Sequence, residues 1–168
     1  WRGVVRGMGG GARFRVPAWM IGIGGTSVPS WKISVACGER LPGTVPPMRV
    51  VAGTARGRTL VTPPGARTRP TTDRVREAVF NALESLDAVV DSKVLDAYAG
   101  SGALGIEALS RGAAHATSAE TDAAARAQVV ANLAHTGLEA EATVVGADGS
   151  GLAARGPWDL VLLDPPYA

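Results

Sequence analysis

Val94-Leu95-Asp96-Ala97-Tyr98-Ala99-Gly100-Ser101-Gly102-Ala103-Leu104-Gly105 decides how this chain folds. A short apolar strand ends in an acid, passes through a glycine-rich turn and runs on into a helix. Gly100, Gly102 and Gly105 match G-x-G-x-x-G, a pattern that alone fits a dinucleotide site as well as a nucleoside site. Outward from this turn the chain alternates. Strands are expected at 93–98, 115–119, 142–146 and 159–163. Helices are expected at 103–111, stopped by Gly112, and at 122–136, stopped by Gly137. Strand–helix alternation gives an α/β fold, a parallel sheet with helices on both faces. Ligands of such sheets bind at the C-terminal ends of the strands.

Acids stand at those ends. Asp96 comes just before the glycine turn, where a carboxylate crowds a pyrophosphate but suits a cation. S-adenosylmethionine carries an ammonium and a sulfonium and no phosphate, so Asp96 favours it over NAD. Glu120 closes the 115–119 strand about 20 residues beyond the turn, the spacing of an acid that bonds ribose hydroxyls. A solvated acid at a helix start is the plainer reading of Glu120. The apolar run Leu160-Val161-Leu162-Leu163 feeds into Asp164-Pro165-Pro166-Tyr167. There a carboxylate, a backbone stiffened by two prolines and an aromatic face come together. That combination suits a flat, amine-bearing ring held against a reactive cofactor; a plain strand-to-turn Pro-Pro is the alternative.

Arg49-Val50-Val51-Ala52-Gly53, the run Arg67 to Asn81 (RTRPTTDRVREAVFN), the Asp96–Gly105 loop and Asp164–Tyr167 occur in the order and spacing of one family. From Met48 onward the chain resembles the bacterial 16S ribosomal RNA (guanine-N2)-methyltransferases of the RsmD type. The resemblance implies a Rossmann-like class I methyltransferase sheet of seven strands, S-adenosylmethionine as donor and a guanine exocyclic amine as acceptor. It makes Asp164, Pro165, Pro166 and Tyr167 the catalytic motif. It assigns Asp96, Tyr98, Gly100, Ser101, Gly102, Leu104 and Glu120 to the cofactor. Asp148, after the 142–146 strand, stands where related methyltransferases bond the adenine amine, although Gly146–Gly149 reads equally well as a turn. The partner implied is ribosomal RNA or a small-subunit assembly intermediate, met by a monomeric, cytoplasmic enzyme.

Charge is uneven. Residues 1–47 hold six of the 17 Lys and Arg and one of the 15 acids, whereas residues 48–168 hold the other eleven and fourteen. The domain is therefore acidic although the chain's net charge is +2. Its basic character is local: Arg49, Arg56, Arg58, Arg67, Arg69, Arg74 and Arg76 lie close in sequence with Asp73 as the one acid among them. Such a segment can follow a phosphate backbone, or be a solvated hairpin and helix start. The single Cys37 excludes a disulfide framework, and no metal-ligand spacing is present. No apolar run is long enough to span a membrane.

Three segments are expected. Residues 1–47, rich in Gly, Pro and Trp and without a sustained period, read as a disordered or non-native extension ahead of a start at Met48. Residues 48–92 read as a basic hairpin, 49–53 with 58–62, followed by a helix capped by Thr71 or Thr72. Val75, Val79, Leu83 and Leu86 form the apolar face of that helix, joined by Phe80. Residues 93–168 read as a partial cofactor domain whose C-terminal strands are missing, leaving 160–163 as an exposed sheet edge. Other readings stay open: an NAD-binding oxidoreductase, a non-catalytic RNA-binding fragment, or a methyltransferase acting on an adenine amine or a glutamine amide.

Overall fold

The computed structural model describes residues 48–62 and 73–165 in full, and the strands at 4–5, 14–15 and 31–34 as backbone. The elements run β1 (Val4–Val5), β2 (Phe14–Arg15), β3 (Trp31–Ser34), α1 (Asp73–Glu84), β4 (Lys93–Asp96) and α2 (Ala103–Ser110). They continue with β5 (His115–Ala119), α3 (Ala123–Thr136), β6 (Ala142–Val145), α4 (Gly149–Ala153) and β7 (Leu160–Leu163). β1 and β2 form a small antiparallel pair. The others form a five-stranded sheet in the order β3-β7-β4-β5-β6, with every pairing parallel.

From β4 the chain steps outward through β5 and β6, then crosses back to place β7 on the other side of β4. Strand order thus reverses between β4 and β7, the position at which open α/β sheets hold ligands. β4 and β7 are covered on both faces, as the unbroken apolar run of β7 and the Val94-Leu95 pair of β4 require. Val94, Leu160 and Leu162 join Phe80, Leu83, Leu104, Ile106, Val129 and Leu133 in one core. Leu95 and Val161 point the other way, to a smaller core with Val145, Leu152 and Trp158. The helices of the α/β reading therefore do lie on both faces.

Local signals explain the helix ends. The Asp122 side chain accepts from Ala125 N–H and caps α3, and Gly137, with φ +72°, ends it. The Thr71/Thr72 cap lies outside the described residues. Of the α1 face, Val79, Phe80 and Leu83 are buried, but the helix stops at Glu84 and leaves Leu86 exposed.

Two expectations are corrected, for residues 1–47 and for the edge position of β7. The hairpin of 49–53 with 58–62 forms but is short. Around the antiparallel Arg49–Thr59 bridge, Val50 N–H donates to the Arg58 carbonyl, Gly57 N–H to that of Val50 and Leu60 N–H to that of Met48, while the amides of Val51 and Ala52 turn to α2. At 146–149 the chain bends at Gly146 and Ala147, and Asp148 then accepts from Ser150 N–H and starts the short helix α4. Residues 1–47 do contain strands, and β3 pairs residue for residue with β7, from Trp31 opposite Leu160 to Ser34 opposite Leu163. Four residues among glycines and prolines are too short to show a period. As a result β7 is an interior strand and not the exposed edge.

Among the contacts that hold residues 48–62 to the domain, one carboxylate gathers the most partners. Glu107 of α2 is fully buried. Its oxygens accept from Val51 N–H (2.8 Å) and Ala52 N–H (3.0 Å). They also meet Arg111 Nε (2.8 Å) and Arg76 Nε (3.4 Å). Arg76 goes on to Asp73 (2.8 Å) and to the Arg49 carbonyl, and Arg111 to Glu84 (3.1 Å). A buried charge lasts only when paired and hydrogen-bonded in this way. Glu107→Ala should cost about 3–5 kcal/mol in denaturant unfolding, since it strips a buried pair of one partner. Glu107→Gln, which keeps acceptors for one amide, should cost less.

Candidate active site

The loops following β4, β5, β6 and β7 gather at the C-terminal edge of the sheet. Asp96 ends β4 with no solvent exposure. Its Oδ2 accepts from Gly105 N–H at 3.0 Å, while Oδ1 is buried without a hydrogen bond of good geometry. Burial pushes the Asp96 carboxyl up from 3.8 to about 7. The Gly105 amide opposes that shift, the charges of Asp164 and Glu120 add to it, and the Tyr98 amide opposes it weakly. Asp164 and Glu120, at the ends of the two strands flanking β4, thus lie within electrostatic reach of Asp96.

The turn between them is built to bring backbone close. Gly102 has φ +80°, and a Cβ there would lie 2.9 Å from Val129 Cγ1. Gly100 N–H donates to Glu120 Oε2 at 3.0 Å, which ties the turn to the end of β5. Glu120 Oε1 accepts from Asp122 N–H at 2.9 Å, so the acid holds both a site loop and a helix start. Arg126 supports this corner from α3, donating to the carbonyls of Glu120 (3.0 Å) and Thr121 (2.7 Å). On the other side a Cβ on Gly149 would lie 1.9 Å from the Ala97 carbonyl oxygen. Only glycine lets the β6 loop press so near the end of β4, and it carries Asp148 with it.

Asp148 is exposed and accepts from the amide and hydroxyl of Ser150. Those two bonds hold its carboxyl below the ordinary range. Tyr98, Ser101, Asp164 and Pro165 are half-buried at the same edge, and Leu104 is buried in the core beneath it. Pro166 and Tyr167 lie outside the described residues.

The arginines divide. Arg49, Arg56, Arg58 and Arg74 are exposed. Arg67 and Arg69 lie outside the described residues. The expectation of a phosphate-facing Arg76 is corrected: it is fully buried against Glu107, because that carboxylate needs a cation inside the fold. Glu107 and Arg126 are not foreseen by the motifs. An acid within the apolar helix ALGIEALS is the available signal for the first; nothing in the sequence marks the second. Among the described residues no three His, Cys, Asp or Glu side chains are grouped to hold a metal. No described helix is long and apolar enough to cross a membrane.

The reversal of strand order, the glycine turn and the acids around it define a Rossmann-like α/β domain of the methyltransferase kind. More narrowly, the chain belongs to the family described as Conserved hypothetical protein 95, whose sequence pattern matches residues 48–168. It is 48% identical over 122 residues to ribosomal RNA small subunit methyltransferase D of Escherichia coli K12, across 71% of this chain and 60% of that protein. The solved structure of yhhF from Escherichia coli matches with TM-score 0.60 and 44% identity, covering 72% of this chain and 65% of that one. A hypothetical protein of Thermus thermophilus matches with TM-score 0.60 and 34% identity, covering 71% and 70%. The chain thus spans 60% of the length of the first of these relatives.

Asp96 sets a pH dependence. Its folded pKa, about 7, lies above the ordinary 3.8, so the folded state holds the proton more tightly than the unfolded state. The resulting stabilisation is full below 3.8 and is lost as pH rises through about 7. Unfolding free energy should therefore fall between about pH 4 and pH 7, by at most about 4 kcal/mol, and level off above. In Asp96→Asn that part of the slope should disappear, and at about pH 8 the variant should be the more stable protein. Equal slopes in parallel urea titrations would remove Asp96 as the cause.

Proposed function

We propose that this chain carries the cofactor half of an S-adenosylmethionine-dependent methyltransferase acting on the exocyclic N2 amine of a guanine in small-subunit ribosomal RNA. The observation that carries the reading is the charge of the glycine turn. Asp96, Glu120 and Asp164 surround it, an arrangement that repels a pyrophosphate and attracts a cation. This disfavours a dinucleotide and suits a ligand with an ammonium and a sulfonium. Family membership and the similarity to ribosomal RNA small subunit methyltransferase D support the same reading.

The residues present fit that ligand. Asp96 Oδ1, buried without a good partner, and the bare backbone of Gly100–Gly102 suit its methionine end. Glu120 suits the ribose, and Asp148 suits the adenine amine. When bound, this cofactor supplies an electrophilic methyl group. The chain's own task is to make a poor nucleophile attack. A guanine amine has its lone pair delocalised into the ring. Asp164 and the Pro165 carbonyl can accept its two N–H bonds, favouring a pyramidal nitrogen with its lone pair free. Tyr167 can stack on the base, which must leave its helix or loop to be reached. Holding the amine in attack geometry supplies much of the rate. Exposed Arg49, Arg56, Arg58 and Arg74, with Arg67 and Arg69, are the phosphate contacts of this reading.

Tritiated methyl transfer to unmodified small ribosomal subunits, with calorimetry of S-adenosylhomocysteine binding, tests it. Asp164→Ala should lower turnover by about 10²-fold or more while leaving product affinity within a few fold. Full turnover in that variant would return Asp-Pro-Pro-Tyr to a structural turn. Asp96→Asn should weaken the product and flatten its pH dependence, which in the unaltered protein should favour binding above about pH 7. NADH binding in place of S-adenosylhomocysteine would overturn the reading outright.

A further inference from the structure

Asn132 of α3 is buried, with 2% of its surface exposed, and its side-chain amide is committed at every position. Nδ2 donates to the Ser101 carbonyl at 2.8 Å and to the Val61 carbonyl at 2.9 Å. Oδ1 accepts from Val61 N–H at 3.0 Å and from Gln128 Nε2 at 3.3 Å. An amide has two donors and two acceptor sites, so none is left over. Toward Val61 it imitates a neighbouring strand, bonding both the N–H and the C=O of one residue. Toward Ser101 it grips the centre of the glycine turn. A second contact joins the same two pieces at the other end of the segment, where Ser101 Oγ meets Met48 Sδ at 3.6 Å.

Val61 and Met48 bracket the stretch that carries exposed Arg49, Arg56 and Arg58. We propose that Asn132 is a positioning residue that couples ligand binding at the glycine turn to RNA binding by residues 48–62. The inference rests on the function proposed above. A fully satisfied buried amide resists breaking any one of its bonds, because the freed group is left without water. If Ser101 settles on a bound ligand, its carbonyl fixes the amide, and the amide fixes Val61. Each ligand then lowers the ordering cost of the other, and the coupling is equal in both directions. Glu107 does not serve this purpose. It anchors the segment to the body of α2 and makes its hydrogen bonds away from the turn.

The test uses the full 168-residue chain, S-adenosylhomocysteine and an unmodified in-vitro transcript of small-subunit ribosomal RNA. Filter binding measures RNA affinity with and without saturating S-adenosylhomocysteine; calorimetry measures the reciprocal effect. The unaltered protein should bind RNA about fivefold tighter or more with the small ligand present. Asn132→Leu should bring that ratio to within about twofold of one. Val61→Pro, at an exposed position, removes one donor to Asn132 and leaves Ser101 alone, so it decides the matter if Asn132→Leu does not fold. It should lower the ratio as well. A purely structural asparagine would change melting temperature and leave the ratio intact, which overturns the proposal. A ratio of one in the unaltered protein, with both probes bound, overturns it alone; binding of neither probe overturns it together with the proposed function.

Discussion

The buried carboxylate of Glu107 is the contact on which the rest of the molecule depends. Residues 48–62 pair with themselves only over a short hairpin; the amides of Val51 and Ala52 find their acceptors on α2. Arg76 brings α1 to the same acid, and Arg111 returns from the far end of α2 past Phe80, whose ring its guanidinium overlies at 5.3 Å. One side chain therefore joins the arginine-bearing segment, the first helix and the helix that opens at the glycine turn. A hydrophobic contact could hold these pieces together with more tolerance. A carboxylate with four directional partners fixes their angles as well as their distance.

Asp96 shows the opposite economy. It is a carboxyl whose charge the fold opposes, through burial and two neighbouring acids. Folded proteins retain such liabilities where they serve a ligand. A cation brought to this edge offsets the repulsion among Asp96, Glu120 and Asp164 and makes the ionised form the stable one. The same field repels a pyrophosphate, which is why the proposed ligand is an ammonium-bearing nucleoside and not a dinucleotide.

Much of this is legible in the chain. The β4 turn, the helix stops at Gly112 and Gly137, and the acids at strand ends all follow from local chemistry: conformational freedom at glycine and burial of short apolar strands. What escapes is non-local. Arg76 looks like its neighbours Arg74 and Arg69, and nothing adjacent in sequence reveals that an acid 31 residues on will draw it inside. Trp31–Ser34 carries no periodicity to announce a strand; its pairing is decided by the open side of β7. Glycines are informative in two ways as well. Gly102 is marked by motif, whereas Gly149 is explained only once the Ala97 carbonyl is seen against it.

The reversal of strand order between β4 and β7 has a consequence for how the domain is made. Leu95 and Val161 are partners across that junction, though more than sixty residues apart in the chain. Closing so long a loop is entropically costly, and parallel pairings of this kind form slowly and late. The edge that carries Asp96 and Asp164 exists only once that long-range pairing has formed. Partly folded chains present no such edge, so a ligand that needs both acids has nothing to bind until assembly is complete. Any ligand that binds this edge and not the unfolded chain draws the population toward the finished fold by mass action.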